Sequence, residues 1–433
     1  MTQPNFRLDS MAASYAGRTD FLSALERLKK RFDSTAPVLE VIVRDPAMGV
    51  EGFIVVHNTA ISLNGPLHGR DGQGCGKGGT RITPDVSLDE VRMLAHKMAL
   101  KNAAAGLPMG GSKSGLKASS DEAGFEEKYR RFVALCKPFL FENGGVFGGF
   151  GFDVGAKPVH ALWACEATGS RRCFTGKPLD MGGTDYDREG IAGYGVAVAA
   201  KAALEHQGKS PALCSFAVQG VGAMGAAVIR YFSGFGGRLV AVSDPRLAVD
   251  NATVKNEIGR WMFDKPVSQE LLAAFAAMDV EKAKALLVSE AKPFATPQTI
   301  LEIETDILFP CALHNVLHAD NAGSVQAKMV IEGANSPCTQ DAYNIFHDRG
   351  ITVVPDFIAN PGGVIAAFVE MTMDVPDDVN LKTKAKTAEA KTRTARDIAA
   401  NVAQMLRIAA QYNVRCVDAG MYIALRRIMG EAA

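Results

Sequence analysis

The sequence carries no net charge: 47 lysines and arginines face 47 aspartates and glutamates. A nucleic-acid or anionic-membrane binder shows a basic footprint, so neither partner is expected. A CxxC pair and any Cys/His cluster of metal spacing are also missing, although eight cysteines are scattered at 75, 136, 165, 173, 214, 311, 338 and 416. No metal site is expected on that ground. Thiols so dispersed in a long chain read as free, in a reducing compartment. The opening stretch MTQPNFRLDSMAASYAGR lacks the apolar run of a secretory signal, and the expected location is the cytoplasm. One window, 210–229, is uncharged and long enough to cross a membrane. It holds Gly220, Gly222 and Gly225 with Ser and Gln, which fits a buried strand, turn and helix better. No internal repeat and no low-complexity tract occur.

What is abundant is glycine, with 43 copies, in a chain of 433 residues that is 47% hydrophobic. At about 100–200 residues per domain this length gives two or three domains with real cores. Residues 20–35 predict an amphipathic helix, with Phe21, Leu22, Leu25, Leu28 and Phe32 near one face. VIVRD and FIVVHNTA predict strands. SLDEVRMLAHKMALKNAAAG predicts a helix capped by Ser87, with Glu90 as its capping-box partner and Lys101 in the closing turns. The following GLPMGGSKSG reads as a loop. Helices are expected over 124–140 and 156–168, with a glycine-rich strand and loop between them. Residues 175–190 have the Pro/Gly/Asp content of a linker or active-site loop. Beyond 190, short apolar strands alternate with helices, which predicts a parallel, doubly wound sheet. The last 55 residues return to helix, with Ile398, Val402, Met405 and Ala409 at helical spacing; the basic cluster at its start reads as a solvated face.

CSFAVQGVGAMG followed by GRLVAVSD is the most specific signal in the second half. Gly220, Gly222 and Gly225 match GxGxxG after a predicted strand, open a predicted helix, and precede a strand ending in Asp244. That context makes the match a dinucleotide fingerprint. Gly220 permits the turn, Gly222 admits the pyrophosphate, and Gly225 lets helix and strand pack. The backbone of Gly220, Gly222, Ala223, Met224 and Gly225 would then offer N–H groups to phosphate. Asp244 would accept the adenosine ribose hydroxyls, favouring NAD, while Arg246 nearby could meet the extra phosphate of NADP. In the first half Lys77, Lys101 and Lys113 each lie in or beside glycine-rich or small-residue stretches. If they converge they form a cationic pocket for a substrate with more than one carboxylate, and burial among like charges would lower a lysine pKa. Unrelated surface lysines are the alternative. Asp153, in FGFDVGAK, is the expected carboxylate, its apolar surroundings favouring a raised pKa and proton transfer; a helix cap is its alternative.

The motifs GKGGTR, KNAAAGLPMGGSKSG, FDVGA, TGKP, GYGV, VQGVGAMG, VAVSD, EGANSP and VVPDFIANPGGV occur in the order seen in the glutamate/leucine/phenylalanine/valine dehydrogenase superfamily. The sequence resembles that superfamily over about residues 50–370. The resemblance implies an α/β protein with a substrate domain at 1–185, completed by C-terminal helices over 370–433, and a Rossmann domain at 186–369. It implies oxidative deamination of an L-amino acid to a 2-oxo acid and ammonia with NAD or NADP, in a cleft between the domains of a homo-oligomer, often a hexamer. It further implies Lys113 as the catalytic lysine, Asp153 as the proton-transferring carboxylate and Lys101 as ligand of the substrate α-carboxylate. Asn360 and Asn335 match asparagines near substrate and nicotinamide ribose. Lys77 matches the lysine that takes an acidic side chain, which makes glutamate the first substrate choice. Two positions depart from the pattern: Ala192 stands where many members have Thr, and Ala367 where glutamate-specific members often have Ser. The stretch leading to Lys77 is also longer than usual. A neighbouring amino acid as substrate, a non-catalytic NAD-binding regulatory homologue and a hydroxy-acid dehydrogenase therefore remain as alternatives.

Overall fold

A computed structural model describes residues 15–59, 74–184, 189–251, 254–294, 299–373 and 379–429. The long stretch before Lys77 lies largely outside these. The chain divides into two compact units: one of 1–185, 364–390 and 421–433, the other of 186–363 and 391–420. Residues 370–433, expected to complete the first domain, are divided: 391–420 group with the second unit. Packing gives the reason: a methyl group at Gly195 would come within 2.7 Å of Ile398 Cδ1.

The first unit begins with α1 (Arg18–Asp33), β1 (Leu39–Asp45), β2 (Val50–Val56), β3 (Gly76–Lys77), β4 (Thr80–Thr83), α2 (Leu88–Ala104) and β5 (Gly110–Lys117). It continues through α3 (Phe125–Cys136), β6 (Phe150–Gly151), α4 (Pro158–Thr168) and β7 (Phe174–Thr175). Phe21, Leu25, Leu28 and Phe32 are buried on one face of α1, as its 3.6-residue spacing predicts. The sheet runs β1-β2-β5-β3, with β4 also on β5. Strand β5 is antiparallel to β2 and parallel to β3 and β4.

The segment around Lys113, read as a loop, is the strand β5 and lies at the middle of this sheet. Its glycines serve close approach rather than a turn. A methyl group at Gly110 would stand 1.8 Å from Asn58 O, and one at Gly111 2.1 Å from Ala99 N in α2. Glycine is what lets a helix backbone lie directly on this strand. Ser87 caps α2 by accepting from Glu90 N at 3.2 Å, as expected. The Glu90 side chain, however, binds Arg81 instead of closing a capping box. At the other end Arg427 donates to Ala103 O and Ala104 O at 3.0 and 2.8 Å, satisfying carbonyls that a helix end leaves open.

The second unit holds α5 (Ile191–His206), β8 (Ser215–Gln219), α6 (Ala223–Gly234), β9 (Arg238–Ser243), a ribbon of β10 (Val249–Asp250) and β11 (Lys255–Asn256), and β12 (Arg260–Met262). Then follow α7 (Gln269–Ala276), α8 (Val280–Glu290), β13 (Lys292–Pro293), β14 (Ile307–Pro310), α9 (Ala319–Ala322), β15 (Met329–Ile331), α10 (Gln340–Asp348), β16 (Thr352–Val354) and α11 (Asp356–Ala359). Helices α12 (Gly362–Thr372), α13 (Val379–Tyr412) and α14 (Cys416–Met429) each contain a point of the division between units. The sheet order is β13-β12-β9-β8-β14-β15-β16. Its five strands from β9 to β16 are mutually parallel, the doubly wound arrangement expected. Strands β12 and β13 add an antiparallel edge that the sequence pattern did not reveal, being only three and two residues long. No described helix is long and apolar enough to cross a membrane.

Gly111→Ala is expected to destabilise the first unit by about 3 kcal/mol, because helix and strand must separate to admit the methyl. Urea unfolding measures this; an unchanged midpoint would show that the α2–β5 approach is not as tight as described.

Candidate active site

In the first unit, the side chain of Lys113 leaves β5 in the sheet interior and is only 5% exposed. Its Nζ lies 3.1 Å from Asp153 Oδ2. Burial pushes the Lys113 ammonium below the usual lysine range, against the nearby Asp153 charge that holds it up. Asp153 behaves differently from the expectation of a raised pKa. Burial pushes its carboxyl up, but the Lys113 charge and the Arg81 hydrogen bond outweigh burial, and the net shift is downward. The apolar sequence around Asp153 did not disclose these cations, which come from other strands.

Arg81, on β4, is the residue that the motif reading left without a role. Its Nε donates to Asp153 Oδ2 at 2.8 Å and its Nη1 to Glu90 Oε1 at 2.6 Å. Arg81 thus spans two carboxylates, one on α2 and one beside Lys113. The motif GKGGTR contains it, but nothing in the sequence says that its guanidinium reaches 72 residues onward.

Lys77 is 3% exposed, so the alternative of an unrelated surface lysine does not describe it. Its Nζ donates to Gly78 O at 3.3 Å, to Gly149 O at 2.9 Å and to Phe150 O. These carbonyls belong to its own turn and to the segment leading into Asp153. Burial first, and Lys177 in addition, push the Lys77 ammonium down to about 7. Lys101 sits in the last turn of α2, partly exposed. Its neighbour Asn102 ties that turn to both strands, donating to Lys77 O at 3.1 Å and Gly110 O at 2.7 Å. The structure thus joins Lys113 directly to Asp153, places Lys77 on the strand beside β5, and anchors the turn of Lys101 through Asn102.

In the second unit the glycine turn has the form a dinucleotide needs. Gly220 has φ +85°, a conformation that favours glycine, and a methyl at Gly225 would strike Gly220 O at 1.8 Å. Gly222 is the N-cap of α6 and offers no side-chain cap, so first-turn N–H groups of Ala223, Met224 and Gly225 stay available for phosphate oxygens. A methyl at Gly222 would meet only Arg246 Nη2, at 3.7 Å. A cavity beside the turn is lined by Val221, Asp244, Arg246, Phe275, Met278 and Ala283. Asp244 is buried and already occupied: Oδ2 accepts from Val221 N at 2.7 Å and Arg246 Nη2 at 2.8 Å, and Oδ1 from Arg246 N and Nε at 2.9 Å each. Asn360 Nδ2 donates to Asn335 Oδ1 at 3.2 Å and to Gly333 O at 3.0 Å. Asn360 Oδ1 is buried without a hydrogen-bond partner, which marks a place for a ligand donor. These features fit an NAD-type group. Among the described residues no cluster of His, Cys, Asp or Glu could hold a metal ion.

A first unit with a buried amine–carboxylate pair and a second, Rossmann unit with an open phosphate turn define a nicotinamide-linked oxidoreductase. Residues 182–432 match the family model of Glutamate/Leucine/Phenylalanine/Valine dehydrogenase, and 40–161 match the Glu/Leu/Phe/Val dehydrogenase dimerisation domain. The chain is 31% identical over 360 residues to an NADP(+)-dependent glutamate dehydrogenase of Pyrobaculum calidifontis, covering 81% of this chain and 79% of that one. It is 34% identical over 337 residues to a glutamate dehydrogenase of Thermotoga maritima, covering 75% and 73%. Its fold is similar to the crystal structure of glutamate dehydrogenase from Peptoniphilus asaccharolyticus, with TM-score 0.70 at 23% identity over 94% of this chain and 98% of that one. The chain belongs to the glutamate/leucine/phenylalanine/valine dehydrogenase family and is an amino-acid dehydrogenase that uses NAD or NADP. The readings as a hydroxy-acid dehydrogenase or a non-catalytic homologue give way to that assignment.

Removing the Arg81 charge should let Asp153 take up a proton sooner as pH falls. In Arg81→Gln the acid limb of kcat is expected to move upward by about one pH unit. Glu90→Gln, which leaves the Arg81–Asp153 contact in place, should move it far less. A uniformly lower kcat with an unmoved limb would show that Arg81 does not tune Asp153.

Proposed function

We propose that the substrate is an L-amino acid with an acidic or polar side chain, glutamate first, and that Lys113 and Asp153 carry its deamination. The observation that carries this reading is the contact between Lys113 Nζ and Asp153 Oδ2 in a buried setting. Burial favours the neutral amine of Lys113, and Asp153 stands within reach to exchange its proton. The nicotinamide, when bound, accepts the hydride from the substrate Cα. Lys113 then takes a proton from the water that attacks the imine carbon, and Asp153 returns a proton to the departing amine, so that ammonia leaves and the 2-oxo acid remains. Lys101 holds the α-carboxylate.

Lys77 supports an acidic side chain. Its ammonium meets carbonyl oxygens, and no carboxylate pairs with it among the described residues. A substrate carboxylate would give this buried cation its missing partner. Ala367, where a serine often assists, leaves Lys77 to do so without a hydroxyl from that position, and this keeps other polar amino acids in the substrate class.

Gly220, Gly222, Ala223, Met224 and Gly225 hold the pyrophosphate, and Asn335 with Asn360 faces the nicotinamide ribose and substrate. Arg246 decides the coenzyme. Its side chain is half exposed while Asp244 is covered by it, so a 2′-phosphate meets a cation directly and a ribose hydroxyl must displace that cation to reach Asp244. Both NAD and NADP are used under this reading. The chain assembles as a homo-oligomer through the region matched to a dimerisation domain, and its eight free cysteines suit a reducing cytoplasm.

A panel of amino acids with each coenzyme, read by absorbance of reduced nicotinamide, tests this. Glutamate should rank first, and Arg246→Gln should lose NADP-linked kcat/KM by about tenfold or more relative to the NAD-linked value. Preference for a branched or aromatic amino acid would overturn the assignment of Lys77. Equal loss with both coenzymes would overturn that of Arg246.

A further inference from the structure

Two buried lysines strap one short ribbon. Lys77 Nζ donates to Gly149 O and Phe150 O at β6. Lys177 Nζ donates to Phe174 O at β7, at 2.6 Å. Strands β6 and β7 pair in parallel, Phe150 opposite Phe174 and Gly151 opposite Thr175. A methyl at Gly151 would stand 3.4 Å from Thr175 Oγ1 and 3.6 Å from Lys77 Nζ. Each strand is two residues long, so the ladder itself supplies little rigidity. Two residues past β6 lies Asp153.

Against these two cations stands one carboxylate, Glu370 on α12, three residues beyond Ala367. Its side chain is fully buried and pairs with Lys177 Nζ. It also accepts from Gly176 N at 3.1 Å, Lys177 N at 3.4 Å, Thr184 N at 3.2 Å and Thr184 Oγ1 at 3.1 Å. The segment from Gly176 to Thr184 is folded around this single anion. The titratable groups that act on Lys77 are Cys75 just ahead of its own strand, Cys173 ahead of β7, Lys177 and Glu370. Burial pushes the Cys75 thiol up to about 12. Cys173 is pushed up as well, by its hydrogen bond with Cys165 and by burial. Both thiols stay neutral near neutral pH, which leaves Glu370 as the negative charge of the four. A buried ion with its compensating charge removed is strongly disfavoured.

We propose that Glu370, the direct partner of Lys177, also supplies Lys77 with compensating charge across the β6–β7 ribbon without touching it, and that these three buried groups position the ribbon next to Asp153 and keep Lys77 charged until an acidic substrate pairs with it. Glu370 and Lys177 are positioning residues; they act through Lys77 and through the ribbon. The inference rests on the reading of Lys77 and Asp153 given above.

The test is the pH dependence of kcat/KM for glutamate in the full-length enzyme. In Glu370→Gln, Lys77 faces the Lys177 cation without the anion, so it loses its proton earlier as pH rises. The alkaline limb is expected to fall by about one pH unit. Lys177→Met removes the repelling cation, and the limb should move the opposite way. Glu370→Asp keeps the charge and shortens the reach: the limb should hold its place while kcat drops. In Lys77→Met the limb should no longer respond to either change. Limbs that move in the same direction in Glu370→Gln and Lys177→Met, or do not move, would overturn the proposal, because a purely structural role has no reason to give opposite signs. Should Glu370→Gln not fold, Lys177→Met and Glu370→Asp answer the same question. A wild-type enzyme that turns over no glutamate would instead remove the reading of the site, and this proposal with it.

Discussion

The burial of an amine on the middle strand of a glycine-lined sheet is the constraint from which the rest of the first unit follows. Burial of the Lys113 amine is compensated by a carboxylate, Asp153, at 3.1 Å. Burial by itself pushes that carboxyl's pKa up, and the cations around it turn the net shift downward. Arg81 supplies a second cation and is itself balanced by Glu90. Each charge in this chain of four lowers the cost of the next. The absence of side chains at Gly110 and Gly111 lets Asn58 and helix α2 press directly on β5.

The second unit handles charge by another route. Its glycine turn presents backbone N–H groups at a helix terminus that no side chain caps, which suits a phosphate. Its one strong ion pair at that site, Asp244 with Arg246, is preformed and lies at the edge of the cavity. Under the proposed reading, coenzyme choice there turns on whether the guanidinium stays over Asp244 or swings away.

The sequence was most informative where chemistry is local. Ser87 capping α2, the apolar face of α1 and the strand–turn–helix at Gly220 all depend on residues a few positions apart, and they are found as expected. The glycine stretch at Lys113 misled, because a strand that must admit a helix backbone has the same composition as a loop. Distant pairings were hidden. Nothing near Asp153 in the chain announces Arg81, and the spacing that suits Glu90 to a capping box conceals that its carboxylate is taken by Arg81 of β4. Lys177 and Glu370 sit 193 residues apart; TGKP and ANPGGV are both legible as motifs, yet the ion pair between Lys177 and a residue beyond the second is a property of the fold alone.

The coupling of Lys113 to Asp153 is the center of this account, and a double-mutant cycle in kcat measures it most directly. Lys113→Ala and Asp153→Asn should each lower kcat by about 10³-fold, and the double variant should be scarcely worse than either single, because the pair acts as one unit. Losses that multiply in the double variant would mean that the two residues act independently, and would contradict the account.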